Sequence, residues 1–119
     1  MNILFGIQGT GNGHISRARI MAAELAKHDR VNVQYLISGR PKDELFDMKV
    51  FGDYWHRQGL TFATKQGKVS KLDTLLANNV VKFFYDIATL DLTDVDLIIT
   101  DFEPVAAWAA KLKGKPVLG

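Results

Sequence analysis

A chain of 119 residues, 47% of them hydrophobic, has the length of one compact domain and enough apolar material to build its own core. Its 15 basic and 13 acidic residues leave a formal charge of +2. That excludes the strongly basic composition of a general nucleic-acid binder and makes any electrostatic preference a local matter. The absence of cysteine removes disulfides, thiolate catalysis and thiolate metal sites, and is compatible with the reducing cytoplasm expected for this chain.

Asn2 to Gln8 predicts a buried strand. The run breaks at Gly6, lacks a basic flank and is too short for a signal peptide or a spanning helix. Gly-Thr-Gly-Asn-Gly-His, from Gly9 to His14, then leads into a predicted helix from Ile15 to His28, with Ile15, Ala18, Ala22, Leu25 and Ala26 on one face. Val31 to Ile37 alternates and then turns continuously apolar, as a strand covered on both faces does, which gives a parallel βαβ pair. A short segment through Met48 has helical character, and one or two short strands are expected between Val50 and Lys71. Leu72, Leu75, Leu76, Val80, Phe83, Phe84 and Ile87 form a helical stripe assigned to the core, with Ser70 or Asp73 available as cap. Leu97 to Thr100 is another strand, and Pro104 opens an alanine-rich helix that Gly114 closes. Val117-Leu118 begins one more strand just before Gly119. The expected fold is α/β, a Rossmann-like, doubly wound, mostly parallel twisted sheet of order 3-2-1-4-5 with helices on both faces. The ending on a two-residue strand predicts a longer two-domain protein of which residues 1–119 are the N-terminal half.

The glycine loop between the first strand and helix is the leading binding candidate. Glycines let backbone approach a ligand without Cβ hindrance, and the first-turn N–H groups favour negative charge. Gly11, Asn12, Gly13, Ser16 and Arg17 are the candidate acceptor- or phosphate-binding residues. Aligned on Gly9 and Gly11, the dinucleotide fingerprint finds His14 in place of its third glycine. Ser38-Gly39-Arg40 offers a cation where an acidic residue would meet a ribose, so an NADP-dependent reductase using Gly9, Gly11 and Arg40 is the alternative. A Gly-Lys-Ser/Thr phosphate loop of the ATPase type is absent.

Gly-x-Gly-x-Gly-His-x-x-Arg, from Gly9 to Arg17, resembles the N-terminal acceptor domain of GT-B glycosyltransferases, and within them the bacterial and archaeal UDP-glycosyltransferase-like group that carries arginine at this point. Asn12 between the glycines and Arg17 in place of a proline set it apart from the peptidoglycan and natural-product transferases. Ile99-Thr100-Asp101-Phe102-Glu103-Pro104, followed by an alanine-rich helix and Gly-x-Pro-Val, is similar to the Asp-containing strand end of the same enzymes. The resemblance implies sugar transfer from a UDP-sugar to a hydroxyl acceptor, small or lipid-linked, with inversion, no cofactor and no obligatory metal. It further implies that the donor is held by a C-terminal domain and that residues 1–119 alone turn nothing over.

In an open parallel sheet the strand ends after Gln8 and Thr100 share one edge, so His14 and Asp101 can meet there as general base and orienting carboxylate. Simpler roles stand beside these: His14 as a loop residue bonding backbone, Asp101 as cap of the following helix, and Arg17 as a solvated cation or partner of Glu103. A non-catalytic nucleotide- or sugar-binding module is a further alternative. From Trp55 through Leu72 no residue is acidic, while Arg57, Lys65, Lys68 and Lys71 interleave with Trp55 and Phe62. Such a strip is a solvated loop, a guide for an anionic acceptor, or a peripheral contact with an anionic membrane face. His28 and His56 stand too far from other ligand types to imply a metal.

Overall fold

The computed structural model describes residues 1–9, 13–45, 47–59, 64–65, 68–69 and 80–119. β1 (Asn2–Gln8), β2 (Asn32–Ser38), β3 (Trp55–Arg57), β6 (Leu97–Asp101) and β7 (Val117–Leu118) form one parallel sheet of order β3-β2-β1-β6-β7. Renumbered along the sheet, this is the expected 3-2-1-4-5. β4 (Thr64–Lys65) and β5 (Lys68–Val69) pair separately as an antiparallel hairpin.

Side-chain alternation on the central strands divides the core in two. Leu4, Leu36 and Ile98 face α2 (Val80–Thr89) and α3 (Pro104–Lys113), whose Phe83, Ile87, Val105, Ala106, Ala109 and Ala110 are buried on them. Phe5, Ile7, Tyr35 and Ile37 face the opposite way, onto Ile15, Ala18 and Ala22 of α1 (Gly13–Leu25). The small residues of α1 and α3 let both helices lie close to β1, the strand that carries the glycine loop.

Several sequence expectations are corrected. α1 starts at Gly13 and ends at Leu25, so Ala26 is exposed beyond its C-terminus. The segment through Met48 supplies a single 3-10 turn, Lys42–Glu44, and a second, Lys49–Phe51, follows it. On α2, Phe83 and Ile87 lie four apart and meet the sheet, but Phe84 is rotated off that face and exposed. The expected helix start from Leu72, its caps Ser70 and Asp73, and the loop positions Thr10, Gly11 and Asn12 lie outside the described residues.

The N-terminus of α3 is capped by Glu103, not by Asp101. Glu103 Oε1 accepts from Val105 N–H at 2.8 Å and Oε2 from Ala106 N–H at 2.6 Å. Pro104 occupies the first turn, where its missing N–H costs nothing, and Gly114 closes the helix in the left-handed region at φ 68°. The Glu103 carboxylate lies directly over β1: a Cβ on Gly6 would come within 2.8 Å of Glu103 Oε2 and 2.9 Å of Ala106 Cβ. Gly6→Ala is therefore expected to destabilise the domain by about 1–3 kcal/mol, measured by urea denaturation; a midpoint equal to that of the parent chain would show that α3 shifts freely.

Candidate active site

The parallel sheet brings the ends of β1 and β6 to one edge, because Ile7 is in register with Asp101. His14 follows from the second position of α1, and its Nδ1 lies 2.9 Å from Asp101 Oδ1. Both side chains are about three-quarters buried, at 25% and 22% exposure, so the pair is partly shielded but open to a ligand. A sequence separation of 87 positions makes this a contact that only the sheet could create.

Arg17, one turn further along α1, completes a triangle. Its Nη2 lies 2.9 Å from His14 Nδ1 and 3.4 Å from each Asp101 oxygen. This replaces the expected pairing with Glu103, which is buried beneath the edge and committed to Ser38 and the α3 backbone. A guanidinium has donors only, so Nδ1 can donate to Asp101 or accept from Arg17, not both. With Asp101 as acceptor, Nδ1 carries the hydrogen and Nε2 keeps its lone pair. Nε2 has no partner among the described residues. The Asp101 tautomer is thus the one able to take a proton from a ligand.

The sequence reading missed Phe102. It adopts φ 56°, in the left-handed region where a side chain costs on the order of 1 kcal/mol or more, and its ring stays 78% exposed. The ring centroid lies 5.4 Å from that of His14. The turn between a β strand and a Glu-capped, Pro-initiated helix leaves one residue to make the reversal, and that geometry presents an aromatic face beside the imidazole. Asp101 and Phe102 also line a cavity of about 230 Å³ together with Thr100 and Gly119.

The two described glycines of the loop have different causes. A Cβ at Gly9 would meet Arg40 Cβ and the Ser38 carbonyl at 3.1 Å, so glycine there permits packing against the end of β2. Gly13, with no positive φ, has nothing within 4 Å of a Cβ, so neither backbone conformation nor internal packing calls for glycine there. Ser16 is exposed in the same first turn. Among the described residues no three His, Asp or Glu side chains gather as a metal site would need, and no helix is long and apolar enough to cross a membrane.

The family model for glycosyl transferase family 1 matches residues 1–119, the whole chain. The chain belongs to that family. No curated protein sequence matches it. Among solved structures the domain is similar to a crystal structure of Acinetobacter baumannii MurG, with a TM-score of 0.53 and 19% identity over 98% of this chain. At that identity the likeness is one of fold, the Rossmann-like N-terminal fold of GT-B type. The chain spans 33% of that MurG chain. In this glycosyltransferase domain the His14–Asp101 pair and the open face of Gly13 sit together where an open α/β sheet binds its ligands, outside the carboxyl ends of the strands.

Proposed function

We propose that this domain binds the hydroxyl acceptor of an inverting glycosyltransferase and that His14 is its general base. The 2.9 Å contact of His14 Nδ1 with Asp101 carries the reading, since it leaves Nε2 as the proton acceptor. The acceptor hydroxyl gives its proton to Nε2 as its oxygen forms a bond to the anomeric carbon of a UDP-sugar. The bond from that carbon to the diphosphate oxygen breaks, and its electron pair leaves with UDP. Asp101 holds the ring in register and stabilises the imidazolium that forms. Phe102 supplies an apolar face for the acceptor beside the reacting hydroxyl.

Arg17 is 62% exposed and its guanidinium can turn to a phosphate. A diphosphate that draws Arg17 away from Nδ1 leaves that position to Asp101, which sets the tautomer catalysis requires. The open face at Gly13 and the exposed hydroxyl of Ser16 suit the same anionic group at the start of α1. The donor sugar is bound through the remainder of the full-length protein.

Asp101→Asn in the full-length protein tests the pair. Transfer from a UDP-sugar is expected to fall by about a hundredfold, the low end of what positioned proton transfer is worth, with the donor KM unchanged and the pH profile displaced. Unaltered turnover and pH profile would overturn the orienting role of Asp101.

A further inference from the structure

A second feature of the same sheet edge lies outside the His14 site. The turn after β2 and the end of β3 enclose a cavity of about 240 Å³ lined by Arg40, Pro41, His56, Arg57, Gln58 and, from α2, Lys82. Three of these side chains are cationic, and none of the described lining residues is acidic. Asp86, one helical turn along α2, has its Oδ1 3.9 Å from Lys82 Nζ. A domain with a formal charge of only +2 has therefore placed three cations around one small concavity, where low-dielectric walls focus their field.

The cavity is built and held. His56 Nε2–H donates to the Arg40 carbonyl at 2.6 Å, tying the β2 turn to β3. Gly39 N–H donates to the Gln58 carbonyl at 2.8 Å, closing the same edge. Arg57 is half-buried: Nη1 donates to the His56 carbonyl at 2.8 Å, and the guanidinium carbon lies 6.0 Å from the Trp55 ring centroid. These contacts fix the guanidinium plane while using one of its five N–H donors, and a pre-oriented fork is the geometry that pairs with a two-oxygen anion.

Its position relates it to the chemistry. Arg57 is in register with Ser38, and Ser38 with Gln8, so the cavity opens at the level of the glycine loop. From β6, which carries Asp101, to β2 and β3 is two and three strand spacings, about 10 to 14 Å at about 4.8 Å each. We infer that the Arg40–Arg57–Lys82 cavity is a subsite for an oxyanion, a phosphate or a carboxylate, carried by the acceptor about 10 to 14 Å from the hydroxyl that His14 deprotonates. The assignment to the acceptor rests on the proposed transferase role; the anion site itself does not. The cavity holds the charged end and the edge of the sheet guides the other end to His14.

The test is an amide NMR titration of the 119-residue chain with inorganic phosphate, and separately with acetate. Saturable shifts are expected at Gly39, Arg40, Arg57 and Gln58, and Arg57→Gln is expected to weaken them about tenfold while His14→Ala leaves them unchanged. Saturation by phosphate alone assigns a phosphate-bearing acceptor, and saturation by both assigns the wider class that includes carboxylates. Absence of saturation, equal binding by the Arg57→Gln chain, or shifts confined to Gly13 through Arg17 would overturn the site. A hundredfold tighter hold on adenosine 2′-phosphate than on phosphate would overturn it in favour of an NADP site. Anion binding here together with no sugar transfer by the full-length protein would leave the subsite standing and remove the transferase role from which the acceptor is argued.

Discussion

On the proposed role of His14, its replacement by alanine in the enzyme that carries this domain is expected to lower kcat by about a hundred- to ten-thousandfold while the donor KM stays within about twofold. The size follows from the role. A base held at hydrogen-bond distance acts on the transition state, where the hydroxyl proton is in flight, and contributes little to ground-state binding of a sugar nucleotide held elsewhere. His14 also contributes little to the fold: it is partly exposed, starts α1 and is absent from both core clusters. Loss of turnover should therefore appear without loss of stability. A variant with normal kcat would end the general-base assignment, and a raised acceptor KM beside that normal kcat would make His14 a contact residue.

The largest stability effect is expected at Glu103. Burial pushes this carboxyl up to about 7, against the hydrogen bonds from Ser38 and the Ala106 and Val105 N–H groups that favour its charged form. An unfolded chain would titrate it near 4.5. Because the folded value is the higher, the folded state binds the proton more tightly; the stability this confers is complete below about 4.5 and is lost as pH rises through about 7. Glu103→Gln removes the titration and adds a pH-independent offset for an imperfect cap. Between pH 5 and pH 8 the parent chain is expected to lose about 2–3 kcal/mol relative to this variant in urea denaturation. Parallel pH dependence of the two proteins would show that Glu103 does not titrate in this range. Glu103→Ala, which leaves the Val105 and Ala106 N–H groups and the Ser38 hydroxyl without their acceptor in a closed interior, is expected to cost about 2–4 kcal/mol at pH 5, and less at pH 8, where the parent chain has lost the stability that the protonated carboxyl confers.

Much of this domain was legible along the chain because its signals are local. Strand β1 keeps the predicted bounds Asn2–Gln8, and the α3 stop at Gly114 follows from backbone preferences that act within a few residues. The strand order follows from right-handed crossovers between parallel strands, which leave few arrangements open to alternating strands and helices. That order also brings the end of β6 beside the loop after β1, so the meeting of His14 with Asp101 was foreseeable from residue types and topology.

What the chain alone left undecided depends on which groups compete for the same space. Asp101 and Glu103 flank one turn, and either could cap α3. Packing of α3 on Gly6 buries Glu103 under the sheet edge and leaves Asp101 to face His14 and Arg17. The same constraint twists Phe102 into the left-handed region beside the imidazole. Gly9 and Gly13 are equivalent as letters, yet one is filled from behind by the end of β2 and the other is open. Arg40, Arg57 and Lys82 are scattered through three segments and only β2–β3 pairing and the seating of α2 gather them around one cavity. Local propensities and hydrophobic period determine the elements and their order; the division of buried and open positions among neighbouring polar groups is decided by tertiary packing, because desolvation depends on every segment that closes over a residue.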